Sequence, residues 1–182
     1  MSENSSLYLK LEISEAKLQQ FFEADPIPVI LDRNWQSWWD SREMYNKEPL
    51  THIPYYRFAT NRAVFDELME DKSFLSTEHY DNTTQCWTFI SVFFSENYWE
   101  ILPMLSLLQN MMSYQDPNNK GAAIIYSYYW GATSVMAYLT LTENQFRLHH
   151  SHNTDEIPPE FLTEANRDLD HAVEKLSQQF ED

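Results

Sequence analysis

Apolar residues fall at every second position at the start of the chain: Leu7, Leu9, Leu11 and Ile13 share one side, and Tyr8, Lys10 and Glu12 share the other. A period of two puts alternate side chains on opposite faces of an extended backbone, so this segment predicts a half-buried strand. Ser14 then reads as a helix N-cap, with Glu15 in the first turn, where a carboxylate meets the positive end of the helix dipole. Ile13 and Leu18 are spaced for a hydrophobic staple, and Leu18, Phe21 and Phe22 give the apolar face of a helix ending near Asp25 and Pro26.

Pro26 and Pro28 make the next connection irregular. Asn34 is the expected cap of a short helix whose Trp35, Trp38 and Trp39 share one face through their i, i+3, i+4 spacing. Residues 46–59, with Pro49 and Pro54, read as loop. Thr60 caps a helix that turns Val64, Phe65, Leu68 and Met69 inward and Asp66, Glu67, Glu70 and Asp71 outward. Residues 76–85 form a polar connection, and the run 86–94 is apolar at both parities and rich in aromatic and β-branched residues, as a central strand is.

Ser95 is the expected cap of a helix with apolar residues almost all round its axis, which predicts deep burial; Pro103 inside it predicts a kink or a broken start. A turn over 116–121 follows, then strands at about 122–130, 133–142 and 145–150. Pro158 and Pro159 open a last helix with Leu162, Ala165, Leu169, Ala172, Val173, Leu176 and Phe180 in one stripe. The order predicts an α+β fold: a single domain, 1–182, with a mixed or antiparallel sheet of about five strands and helices packed mainly on one face.

Composition narrows the chemistry. Gly121 and Gly131 are the two glycines of the chain, too few and too far apart for a glycine-rich phosphate loop. The single cysteine, Cys86, rules out an intrachain disulfide and any multi-cysteine zinc site, and it lies in a strand-like apolar run as a small core residue would. The first residues carry neither a basic nor an apolar signal region, and with the lone cysteine this points to the cytoplasm. Residues 121–142 hold no charge, but their tyrosines, serines and threonines read as two buried strands and not as a membrane span.

The net charge of −16 changes the picture most, because a field of that sign repels nucleic acid and anionic membranes and attracts a basic protein. Trp35, Trp38, Trp39, Asp40 and Glu43, followed by Tyr55 and Tyr56, combine the aromatics that dominate binding hot spots with acids suited to a basic partner. At least two of the three tryptophans are expected in the core, and the region as a whole, with Asp66, Glu67, Glu70 and Asp71, is the candidate partner surface. The function read from this pattern is a cytoplasmic acidic binding protein, in its sharpest form a bacterial immunity protein occluding a cognate basic toxin. Two alternatives stand beside it: a small hydrolase or metal-dependent enzyme built around His149, His150 and His152, and a homo-oligomer using the aromatics as a self-interface. In a strand, His150 and His152 would share a face as metal ligands, but nothing supplies a spaced ligand set, so neither metal nor cofactor is expected.

Overall fold

A computed structural model describes residues 3–179. Among these residues six strands form one antiparallel sheet: β1 (Ser5–Glu12), β2 (Ser76–Asp81), β3 (Cys86–Ser95), β4 (Gly121–Tyr126), β5 (Val135–Leu141) and β6 (Phe146–His149). Their spatial order is β2-β3-β1-β4-β5-β6. The α-helices are α1 (Glu15–Glu23), α2 (Arg33–Ser41), α3 (Asn61–Glu70), α4 (Tyr98–Asn110) and α5 (Pro159–Gln178). The chain is a single α+β domain, as its pattern predicts.

The central strand β1 is hydrogen-bonded on both sides, with Leu9 opposite Phe89 of β3 and Ala123 of β4. Its odd positions, Leu7, Leu9 and Leu11, join Trp87, Phe89, Ala123 and Ile125 in a large core under α1, α2, α3 and α4. Its even position Tyr8 turns the other way, with Ile90, Val92, Ile124, Tyr126 and Tyr138, onto Ala165, Leu169 and Ala172 of α5. Four helices therefore cover one face and α5 covers the other. The uncharged stretch 121–142 supplies β4 and β5, and no helix among the described residues is long and apolar enough to cross a membrane.

α5 sits on a sheet face that carries tyrosines where the other face carries leucines, and its polar side chains accept their hydroxyls. Tyr8 donates to Asp168 at 2.6 Å and to Glu164 at 3.3 Å, Tyr126 donates to Asn166 at 2.5 Å, and Tyr128 donates to Asp170. Lys10 adds an ion pair with Glu164 at 2.7 Å. Each of these three phenols thus has a partner for its polar tip while its ring packs between sheet and helix. Burial, reinforced by the nearby Asp168 and Glu164, pushes the Tyr8 hydroxyl far above its ordinary ionisation range; burial does the same to Tyr126 and Tyr128, the latter aided by Asp170.

Arg42, just past α2, is 1% exposed and forms no ion pair among the described residues. Its Nη1 donates instead to the backbone carbonyls of Val135 and Met136, at 3.2 Å each, and of Ser151 at 2.9 Å. The β4–β5 pairing shifts register beside Val135, and the guanidinium takes up carbonyls at that irregularity. Burial pulls its pKa down, opposed by the adjacent Tyr98 hydroxyl, yet a guanidinium stays charged in a protein. Three charge-assisted bonds to carbonyls compensate the buried cation.

Several local readings shift. β2 falls in the segment read as a polar connection; it is an edge strand with residues mostly part-exposed, and only its pairing with β3 identifies it. The cap of α2 is Asp32, two residues earlier than Asn34, because the Asn34 amide is engaged elsewhere: it donates to the Leu148 carbonyl at 3.0 Å and accepts from the Leu148 N–H at 2.7 Å, taking the place of a neighbour for edge strand β6. Asn97, not Ser95, caps α4, since Ser95 ends β3 and its hydroxyl donates to Glu100 at 2.7 Å. α4 continues through Pro103, whose missing N–H removes one bond near the helix start. β4 stops at Tyr126, and Phe180 of the predicted α5 stripe lies outside the described residues.

Arg42→Ala should cost at least about 3 kcal/mol in urea denaturation, because it strands three buried carbonyls and opens a void; Arg42→Lys, without the planar fork, should recover only part of that. The raised tyrosines make the fold alkali-labile. Above the ordinary tyrosine value of 10.0 the unfolded chain ionises while the folded one keeps its protons, so stability falls as pH rises past that value. Thermal midpoints taken from about pH 8 to about pH 11 should decline beyond about pH 10, with a shallower slope in Tyr8→Phe; a flat profile would mean the hydroxyls are not held this way.

Candidate functional site

α2 has nine residues, too short to persist alone in water, so its stability comes from what it buries. Trp35, Trp38 and Trp39 are all buried, at 0%, 0% and 1% exposure. The Trp35 indole donates to Gln109 of α4 at 2.7 Å, the Trp39 indole donates to the Glu48 carbonyl at 2.9 Å, and the Trp39 and Trp99 rings meet edge to face at 4.8 Å. None of the three therefore offers a partner any surface. Their apolar area is large enough that packing against α4 wins over display, and the same i, i+3, i+4 spacing serves either use.

The rest of the predicted surface divides. Asp40 and Glu43 reach solvent, Asp40 accepting from Gln36 at 3.0 Å. Tyr55 is half-buried beneath the Arg57 guanidinium, 4.2 Å from its ring centre. Asp66 is occupied by Arg62 at 2.9 Å, and Arg62 also reaches Glu78 at 3.0 Å. Glu70 is exposed, and Asp71 accepts from the backbone and hydroxyl of Ser73, which holds its carboxyl below the usual range. Tyr56 and Glu67 are the two that meet: both line one cleft, and burial together with the Glu67 charge pushes the Tyr56 hydroxyl upward.

That cleft, about 340 Å³, opens at the end of the sheet where β1 begins and β3 finishes. Its walls are apolar, from Tyr56, Phe58, Leu68, Phe74 and Phe94, and its carboxylates are Glu67 and Glu100. Glu100 also lines an adjoining polar cleft of about 360 Å³ with Tyr45, Glu96 and Trp99. Beyond it the Trp130 indole donates to the Asn4 carbonyl, and Tyr129 packs edge-on against Phe93 at 4.7 Å. Tyr45 is 93% exposed, Tyr129 48% and Trp130 41%. Four glutamate- or aromatic-rich segments far apart in sequence thus gather at this end of the sheet, with Tyr129 on its α5 side against Phe93. Glu96, Glu100, Phe58, Tyr129 and Trp130 were not picked out from the sequence: the turn after β4 reads there as part of a strand, and no local pattern marks Glu96 or Glu100.

The histidines do not assemble. β6 ends at His149, so His150 and His152 lie beyond the strand and do not share a strand face. His149 stacks on Tyr138 at 4.8 Å, with Nε2 2.9 Å from the Thr140 hydroxyl; burial, with Arg147 and His150 nearby, lowers its pKa. His150 turns to Ser37 of α2 at 3.0 Å, and His152 is exposed. Among the described residues no group of three or more His, Cys, Asp or Glu side chains is placed to hold a metal ion.

Comparison with protein-family models, with curated proteins and with solved structures finds no match to this chain.

The division between core and surface aromatics is measurable. Trp38→Ala and Trp39→Ala should each cost about 3–5 kcal/mol in urea denaturation, whereas Tyr45→Ala should change stability by less than about 0.5 kcal/mol. A neutral Trp39→Ala would place that ring outside the core.

Proposed function

We propose that this chain is an acidic binding protein that engages a basic protein partner at the end of the sheet marked by Tyr45, Tyr56, Phe58, Glu67 and Glu100. The observation that carries the reading is the apolar cleft with carboxylates Glu67 and Glu100 among its lining residues. Such a cleft suits a lysine or arginine side chain, whose aliphatic stem packs on the aromatic walls while its charged head meets the glutamates. Tyr45, Tyr129 and Trp130 supply the exposed rings that bury area at modest entropic cost around such an anchor. The net charge of −16 would draw a basic partner in from a distance and orient it.

In the finer form of the reading the partner is a toxin with a basic active-site surface, and the chain is a bacterial immunity protein that neutralises it by covering that surface in the cytoplasm. What supports this form is the acidity and the size of the chain together with a mechanism that asks only for occlusion; it is an analogy of class.

The test is affinity capture with the tagged chain from its native cell, followed by kinetics with the purified partner. One stoichiometric basic protein should be recovered and should be lost on Phe58→Ala combined with Glu67→Gln and Glu100→Gln in a folded variant. The on-rate should drop about tenfold or more as salt rises from about 50 to about 500 mM, since screening shortens the reach of the field. A salt-independent on-rate, or capture unchanged by the triple substitution, would overturn the reading. A dimer by light scattering that dissociates with these substitutions would replace it with the self-interface.

A further inference from the structure

At the side of the sheet formed by β6, the charge pattern reverses. A cleft of about 630 Å³ lies between the first turn of α2 and β6, and none of the residues lining it is an acid, in a chain of 28 aspartates and glutamates. Arg33 and Arg147 enter it from two elements 114 residues apart in sequence, and neither forms an ion pair among the described residues. Elsewhere most basic groups are occupied: Lys10, Lys17 and Arg62 sit on carboxylates, Arg57 covers Tyr55, and Arg42 is buried on carbonyls. Lys120 and Lys175 form no ion pair among the described residues, but the cleft that Lys120 lines with Lys10 also holds the acid Glu12.

We propose that this cleft binds a small phosphate-bearing anion between Arg33 and Arg147. Guanidinium groups present paired N–H donors that match phosphate oxygens, and two unneutralised ones facing a single space make a local positive field inside an acidic molecule. The frame that holds them is rigid. The two hydrogen bonds between Asn34 and Leu148 lock the start of α2 to β6, so the residues beside each, Arg33 and Arg147, keep their spacing. The Ser37 hydroxyl and the His150 ring, 3.0 Å apart on the same cleft, hydrogen-bond to each other and leave one donor of the pair for an anion.

One wall is Phe146, whose ring stacks on the buried Trp35 at 5.8 Å with an interplanar angle of 21°. The space exceeds that of a bare phosphate, and Phe146 gives an organic substituent an apolar surface, so a phosphate monoester fits better than the free ion. A polyanion does not suit the site: each further phosphate along a strand would meet the field of −16, while a single phosphate meets it once. The inference is independent of the basic-partner reading, which uses other residues.

The experiment is a titration of the ¹⁵N-labelled chain with inorganic phosphate and, separately, with phenyl phosphate, with ionic strength held constant by chloride and amide shifts followed by NMR. Saturable shifts confined to Arg33, Ser37 and residues 145–150 are expected with both probes, tighter with phenyl phosphate. Arg33→Gln with Arg147→Gln, both at exposed positions and so compatible with folding, should weaken binding about tenfold or more. Absence of saturable shifts up to about 50 mM of either probe, or equal affinity in the double variant, would overturn the proposal.

Discussion

The need to keep water from both faces of the β3–β1–β4 centre organises this molecule. A strand hydrogen-bonded on both sides and apolar at one parity demands a cover there, and α1 to α4 supply it over Leu7, Leu9, Leu11, Trp87 and Phe89. The other parity is not equivalent. Tyr8, Tyr126 and Tyr128 bring rings that pack against the helix and hydroxyls that must be satisfied, and a purely apolar helix would leave those hydroxyls without partners. α5 meets both requirements, with small residues Ala165 and Ala172 against the sheet and Glu164, Asn166, Asp168 and Asp170 accepting phenolic or ammonium hydrogens. Part of the acidity of the chain therefore serves internal packing.

α2 links this scaffold to both proposed sites. Its tryptophans anchor it in the core, Asn34 clamps its start to edge strand β6, and Arg42 ties its end to the irregular stretch of β5 and to Ser151. Lys47 folds back onto the carbonyls of Asp40 and Arg42, which stabilises the negative end of the helix. The first turn of α2 consequently faces the arginine-lined cleft, and the chain leaving its last turn places Met44 and Tyr45 on the acidic surface. Opposite local fields coexist on a molecule of net charge −16 because each is set by a few groups within several ångströms, a range over which salt does not average them away.

Legibility differed by kind of element. The strand at Leu7–Ile13, the helix capped by Ser14, the helix capped by Thr60, the central strand from Cys86, the two uncharged strands and the last helix could all be read, because periodicity and capping are local properties of consecutive residues. β2 could not: Ser76–Asp81 has no apolar face of its own, and an edge strand is defined by the neighbour it pairs with. The two misplaced caps have the same origin. Asn34 and Ser95 are good cap residues whose side chains found long-range or cross-element partners, Leu148 and Glu100, that no local rule contains.

For function, the sequence by itself determined the α+β class, the acidity, the lack of a glycine-rich phosphate loop, and which residues were able to serve as anchors. Tertiary structure alone decided which did. Spacing says that Trp35, Trp38 and Trp39 share a face but not whether that face meets solvent, and the decision fell to α4, whose apolar surround needed a partner. Likewise Tyr56, Glu67 and Glu100, or Arg33 and Arg147, carry no mutual signal along the chain, because a site is a convergence of side chains in space and strand order sets that convergence.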